Sequence, residues 1–145
     1  MNAYLKMKTR QQKEFDAFPM FFAFSKKQFA EGMEKLGLKP DDTDQVYSMG
    51  GTGGYYRRTD SKALHDMLNR FEQEMEVAVS NDKTGEGFIY DMFSYELSNH
   101  EYSYTGDISD TLDSLDLTLD DIKNNPALKI GLKKAMQAQT EQEAV

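Results

Sequence analysis

Apolar side chains recur at helical spacing in the segment that follows Ser25. Phe29, Met33 and Leu36 are spaced i, i+4 and i+7, which places them on one stripe of a helix. Ser25 stands three residues before a glutamine, a pattern typical of a helix N-terminus. Gly37 follows the stripe at the position where a left-handed residue commonly ends a helix. The pattern predicts a helix between Ser25 and Gly37.

The same spacing predicts most of the remaining chain to be helical. The longest helix is expected over roughly 61–80, and a widely apolar, well-buried helix is expected over about 87–99. Shorter helices are expected over about 9–17, over 108–115, from Thr118 and from Pro126.

Three segments have the pattern of short strands. Residues 20–24 are aromatic and bounded by Pro and Ser, which is typical of a buried strand. Residues 46–49 and 55–58 flank the glycine loop 50–54, and this arrangement predicts an antiparallel hairpin over 46–58 with a flexible tip. Residues 102–105 alternate and predict one more strand. The fold class is therefore α+β, with a small antiparallel sheet of about three strands covered by several helices.

The length of 145 residues is typical of one domain with its own core. The sequence contains no internal repeat and no linker, so we expect one α+β domain over 1–145. Within it, residues 1–18 are expected to form a peripheral helix and residues 137–145 a frayed tail.

Composition excludes several classes of protein and of site. The chain has no cysteine and a formal charge of -8, which argues against thiolate metal sites, direct nucleic-acid binding and membrane-surface binding. No secretory signal is visible, and the longest apolar run is far shorter than a membrane span. We expect a cytoplasmic protein, acting inside a host cell.

The charge is unevenly distributed along the sequence. Residues 84–122 hold ten carboxylates and neither Lys nor Arg. Within them, four aspartates recur every third residue, which on a helix keeps them on one broad face. This segment is interpreted as a solvated helix face, as a surface for a basic partner that normally holds nucleic acid, or as a divalent-cation site without the EF-hand pattern. The candidate partner-binding carboxylates are Asp107, Asp110, Asp113, Asp116, Asp120 and Asp121.

The glycine loop 50–54 is the second candidate site. It lacks the Lys-Ser/Thr of a phosphate-binding P-loop, so a plain hairpin tip is one interpretation. The other is a mobile tip that closes over an anionic ligand or enters a partner's cleft, because Tyr and Arg are enriched at binding hot spots. The side chains that would make this contact are Tyr47, Tyr55, Tyr56, Arg57 and Arg58.

Catalytic and metal sites have little support in the sequence. Only two histidines are present, and no nucleophile–His–acid arrangement follows from the spacing, so neither a catalytic residue nor a cofactor is predicted. Asp91, Glu96, His100 and Glu101 could hold a metal in principle. A structural His100 at a helix end, favoured by the helix dipole, is the alternative interpretation.

Four segments, 22–33, 50–56, 95–102 and 111–115, resemble a family of small proteins from phages and mobile elements of Gram-positive gut bacteria. The most specific of them runs Tyr95-Glu-Leu-Ser-Asn-His-Glu-Tyr102. The resemblance implies a genomic context rather than a chemistry. Small acidic phage proteins of this kind often bind host machinery, including CRISPR and restriction nucleases, and this comparison is an analogy.

The favoured hypothesis is therefore a non-enzymatic, anti-CRISPR-like binding protein. It would inhibit a host nucleic-acid-directed defence nuclease by occupying that protein's basic groove with an acidic, nucleic-acid-mimicking surface. The first alternative is a binder that sequesters an anionic nucleotide signal through the hairpin residues. The second alternative is a metal-assisted hydrolase.

Overall fold

The computed structural model describes the backbone of residues 1–144 and the side chains of residues 1–141. Its residues cluster into two compact units. One unit comprises residues 1–12 and the chain from Glu74 onward, and the other comprises Lys13–Gln73. The helices are α1 (Ala3–Asp16), α2 (Lys26–Lys35), α3 (Ser61–Asn81), α4 (Phe88–Asn99), α5 (Tyr102–Thr105), α6 (Ser109–Ser114), α7 (Leu119–Asn124) and α8 (Pro126–Ala144). The strands are β1 (Met20–Phe22), β2 (Val46–Ser48) and β3 (Gly54–Arg57).

The unit formed by Lys13–Gln73 contains a three-stranded antiparallel sheet in the order β1-β3-β2. Its register pairs Phe21 with Tyr55 and Tyr56 with Tyr47. The α+β class and the hairpin predicted over 46–58 are confirmed.

Opposite faces of this sheet have separate cores because successive strand residues point to opposite sides. Phe21 stacks on Tyr55 at 5.3 Å between ring centroids, on the face that meets Met33 of α2. Tyr56 lies on the other face and packs with Leu64 and Met67 of α3.

The unit that includes Glu74 onward is helical. Its core is formed chiefly by α4 and α8, which pack against each other along Ile89, Phe93 and Leu132. Tyr4 of α1 is buried in the same core, so the first part of the helix expected to be peripheral over 1–18 contributes a core residue. α1 begins earlier than the expected residue 9 because the Asn2 side chain accepts the backbone N–H of Leu5 at 2.8 Å and caps the helix.

Two predicted strands differ in the structure. Residues 102–105 form the helical turn α5, so the predicted strand there is wrong. This turn lies between two left-handed residues, Glu101 and Gly106, and the Gly106 N–H donates to the Tyr102 carbonyl at 2.7 Å. Residues 20–24 form a strand only as far as Phe22, which is half exposed, so this strand is not buried throughout.

The structure describes the frayed tail predicted over 137–145 only in part. α8 continues to Ala144. Val145, which belongs to the expected frayed tail 137–145, lies outside the described residues.

A single carboxylate organises the turn between α3 and α4. Asp82 accepts the backbone N–H groups of Gly85, Gly87 and Ile89 at 2.9–3.1 Å, and the Thr84 hydroxyl at 3.2 Å. Burial disfavours the charged form, but these hydrogen bonds outweigh it and hold the pKa of Asp82 below its ordinary value.

The hydrogen bonds of Asp82 make the free energy of unfolding depend on pH in the acid range. Since the pKa of Asp82 is lower in the folded chain than in the unfolded chain, its contribution is present above about pH 4 and is lost as pH falls through the folded pKa. Urea unfolding should show Asp82→Asn less stable than wild type at neutral pH, with the difference shrinking on acidification. Asp41→Asn, at an exposed position, is the control and should show no such trend. A difference that stays constant down to the acid limit would contradict this role.

Candidate partner-binding surface

Two short helices and the residues on either side of the first carry the predicted carboxylates. α6 buries Thr111 and Leu112, and α7 buries Ile122, while the other residues of both helices are exposed. All six predicted carboxylates are exposed. We call them together the acidic surface: Asp107, Asp110, Asp113, Asp116, Asp120 and Asp121.

The three-residue repeat of aspartates predicts that they lie on one face of a single helix. The structure does not contain such a helix. Only Asp110 and Asp113 lie within α6. Asp107 precedes α6, and Asp116 follows it in the left-handed region at φ 55°. The chain turns there because the Leu117 N–H bonds back to the Leu112 carbonyl at 2.9 Å, which ends the helix.

Two of these aspartates also have a local structural role. Asp107 accepts the Ser109 hydroxyl at 2.7 Å and its backbone N–H at 2.8 Å, and these bonds lower the pKa of Asp107. Asp121 and Thr118 form a reciprocal capping box at the start of α7. Some of these aspartates are therefore explained by the N-termini of two consecutive short helices, because a carboxylate stabilises a helix at that end.

None of the six aspartates forms an ion pair with Lys or Arg among residues 1–141. Other carboxylates of the same sequence block are used internally. Glu86 pairs with Lys134, and Asp91 accepts the Ala3 N–H at 2.9 Å. The described part of the chain therefore leaves the charge of the acidic surface uncompensated.

The predicted hairpin residues are mostly structural. Tyr55 is half-buried and packs against Phe21, and Tyr56 is buried in the opposite core. Arg57 pairs with Asp60 at 2.8 Å and donates to the Leu36 carbonyl at 3.4 Å. The assignment of Tyr56 to a binding surface is therefore corrected, because adjacent residues of the central strand β3 point into two cores.

Arg58 is the one predicted hairpin arginine that is both exposed and free of a described ion pair. Its guanidinium lies over the ring of Tyr47, 4.7 Å from the centroid, and both side chains are exposed. This pair is a small surface feature rather than a ligand pocket.

Two aromatic side chains of the segment 20–24, which is predicted to be a buried strand, are exposed in the structure. Phe22 is 50% exposed and Phe24 is 78% exposed. Their rings lie against Gly54 and Gly53, where a Cβ would meet the Phe rings. The sequence has no signal for this exposure, because residues 20–24 are apolar at every position and the alternation appears only in the burial of the side chains.

A cluster of polar side chains surrounds the buried carboxylate of Glu96 on α4. The Glu96 carboxylate accepts the Tyr4 hydroxyl at 3.2 Å and the Ser114 hydroxyl at 2.9 Å, while His100 Nε2 lies 3.4 Å away. Burial, reinforced by the nearby Glu96 charge, raises the pKa of Tyr4. We call Tyr4, Glu96, His100 and Ser114 the Glu96 cluster. His100 is the C-cap of α4, which agrees with its predicted structural position at a helix end.

The structure gives little support to the interpretation of Asp91, Glu96, His100 and Glu101 as a metal site. Within the described residues no group of three or more His, Cys, Asp or Glu is arranged to hold a metal ion. Asp91 and Glu96 are engaged by Ala3 and Tyr4 respectively, and Glu101 is exposed. Glu96 and His100 lie 3.4 Å apart, but the four residues proposed for a hydrolase do not form a set of three or more metal ligands within the described residues.

Comparison with protein families gives one match. A model of DUF7659, described as a family of unknown function, matches residues 3–138. The chain belongs to this family. Neither a curated protein nor a solved structure matches the chain. The family match covers both units, including the acidic surface, and its description names no activity. No helix in the described residues has the length and apolar character needed to cross a bilayer.

Proposed function

We propose that the chain is a non-enzymatic binding protein whose acidic surface occupies a basic groove on another protein. The observation that carries this proposal is the exposure of all six aspartates without a Lys or Arg ion-pair partner among residues 1–141. Like charges held this close repel one another and weaken the helices that carry them. A cationic partner would offset that cost.

A groove that normally holds nucleic acid is the partner surface with the best chemical match. Such grooves are rich in Lys and Arg because they neutralise phosphates, and clustered carboxylates present the same sign of charge. A net charge of -8 also steers the chain toward a cationic surface and away from nucleic acid itself. We therefore propose inhibition of a nucleic-acid-directed nuclease, with RNA-guided defence nucleases of the CRISPR type as the class to test.

The nucleotide-sequestering alternative has less support. It required Tyr55, Tyr56, Arg57 and Arg58 to surround a ligand, but Tyr56 is buried and Arg57 is engaged by Asp60. No described observation favours it over the acidic surface.

Inhibition should depend on four aspartates that lack a described side-chain partner. Asp→Asn at positions 110, 113, 116 and 120 removes the charge but keeps the shape, and Asn tolerates the left-handed conformation of Asp116. We expect this four-Asn variant to inhibit target-DNA cleavage by a guide-loaded RNA-guided nuclease about 30-fold more weakly than wild type, since each exposed charge contributes about 0.5 kcal/mol to binding. Cleavage of a labelled duplex across a panel of such nucleases measures the effect.

A matched control separates the acidic surface from net charge. Glu31, Glu34, Asp41 and Asp44 are exposed in the other unit, so replacing them with Gln or Asn changes the total charge equally. This control should inhibit like wild type. Equal loss in both variants would indicate a net-charge effect, and equal potency of wild type and the four-Asn variant would remove the acidic surface from the mechanism.

A further inference from the structure

A groove with an apolar floor runs between α5, α7 and α8. Its volume is about 690 Å³, and its floor includes Ile122, Leu132 and Met136. Lys129 and Lys133, one turn apart on α8, line it as well and are exposed, and Glu141 is the one carboxylate among its described lining residues. Two lysines against one carboxylate leave the lining with a net positive charge, so the groove suits a ligand that combines apolar surface with negative charge.

The lysines that line the groove lack an anionic partner within residues 1–141. Lys134, next to them in sequence, pairs with Glu86 outside the groove. Neither Lys129 nor Lys133 forms an ion pair or a hydrogen bond with a described side chain. The groove therefore combines an apolar surface with two lysines that have no described ion-pair partner.

The same unit displays a complementary protrusion. Leu119, the first residue of α7, is 60% exposed. It is flanked by Asp116, Asp120 and Asp121, all of which are exposed and unpaired with any described Lys or Arg. Leu119 with these aspartates thus combines the apolar surface and the negative charge that the groove requires.

The spacing of protrusion and groove suits a symmetric contact. Leu119 and Ile122 lie on the same helix, one turn apart, so the protrusion sits directly beside the groove. In a two-fold contact each copy offers both halves, and every pair forms twice. Because both halves lie in one surface patch, a two-fold axis through that patch pairs each half with the other half of the second copy.

We propose that this groove is occupied by a second copy of the chain, with Leu119 of each copy inserted between Lys129 and Lys133 of the other. Asp116 and Asp120 then meet the lysines across the two-fold axis. The contact uses Asp116 and Asp120 of the acidic surface and leaves Asp107, Asp110 and Asp113 outside it. Lys129→Glu with Lys133→Glu disrupts the contact without changing any residue of the acidic surface, so the dimer and the proposed inhibition are tested separately.

Sedimentation of the full chain tests the proposal. Wild type should form a concentration-dependent dimer. Lys129→Glu with Lys133→Glu should raise the dimer dissociation constant roughly 10-fold to 100-fold, because close charge pairs become repulsive. The opposite swap, Asp116→Lys with Asp120→Lys, should do the same, and mixing the two variants should restore a heterodimer. If the second swap fails to fold by circular dichroism, Leu119→Gln replaces it and should also give a monomer.

A control variant with the same charge change separates this contact from a general effect of net charge. Lys26→Glu with Lys27→Glu, at exposed positions in the other unit, makes the same charge change and should leave the dimer intact. A wild type that stays monomeric at the highest soluble concentration overturns the proposal. So does an unchanged dimer in the Lys129/Lys133 variant. A monomeric wild type that binds oleate through the two lysines would assign the groove to an anionic amphiphile instead.

Discussion

Replacing Gly85 with alanine destabilises the chain by about 3 kcal/mol or more, through strain and overlap at one backbone position. Gly85 has φ +80°, which L-residues rarely adopt. An added Cβ would overlap the carbonyl oxygen of Ala127 and lie 3.0 Å from the Gly131 nitrogen, both of which are backbone atoms of α8. Backbone cannot rotate away as a flexible side chain can, so α8 must move from the turn that Asp82 organises. Urea unfolding followed by circular dichroism measures the loss.

Gly106 provides a matched control. It has φ +69°, but a Cβ added there would meet nothing within 4 Å. Gly106→Ala therefore isolates the conformational cost, about 1–2 kcal/mol. If Gly85→Ala and Gly106→Ala lower the free energy of unfolding equally, the close approach of α8 to the turn does not affect stability.

Replacing Glu96 with leucine has the second large effect, a loss of about 3 kcal/mol. Leucine keeps the apolar packing of α4 but removes the acceptor for the Tyr4 hydroxyl and one acceptor for Ser114. The Tyr4 hydroxyl is then buried without a partner. Ser114 keeps its bond to the Thr111 carbonyl at 2.8 Å, so most of the cost falls on Tyr4. Equilibrium unfolding of the variant gives the value.

A double-mutant cycle identifies the source of that loss. In a Tyr4→Phe background the hydroxyl is absent, so Glu96→Leu should cost about 2 kcal/mol less than in wild type. Strictly additive effects would mean that the hydrogen bond between Tyr4 and Glu96 contributes nothing to stability.

The helices were largely predictable because their signals are local. The Ser25 side chain accepts the Gln28 N–H at 3.2 Å, Gly37 is left-handed at φ 76°, and α8 begins at Pro126, as the sequence predicted. Each of these signals depends on neighbours within one turn. The stripe of apolar residues between them decides the buried face.

The features that the sequence missed depend on distant partners. Glu96 meets Tyr4 across 92 positions, and no local pattern marks that pair. Residues 102–105 alternate like a strand, but their backbone bonds close locally between two left-handed residues. The exposure of Phe22 is not marked in the sequence either, because residues 20–24 are apolar at every position.

The candidate surface was predictable in its exposure but not in its shape. An aspartate block without cations predicts solvent-facing side chains, and all six are exposed. The repeat of three does not reveal that α6 ends at Ser114 and that Asp116 turns the chain toward α7. The hairpin failed as a binding site because a central strand sends Tyr55 and Tyr56 into opposite cores.

The central claim is that the acidic surface guides the chain to a cationic partner, and the salt dependence of association tests it most directly. Stopped-flow association with an inhibited nuclease should be fast at low salt and slow steeply as salt rises, because steering of this kind is screened beyond about 10 Å at 0.1 M ionic strength. The four-Asn variant should associate more slowly and with a much shallower salt dependence. Equal rates and equal salt dependence for wild type and the four-Asn variant would contradict the claim.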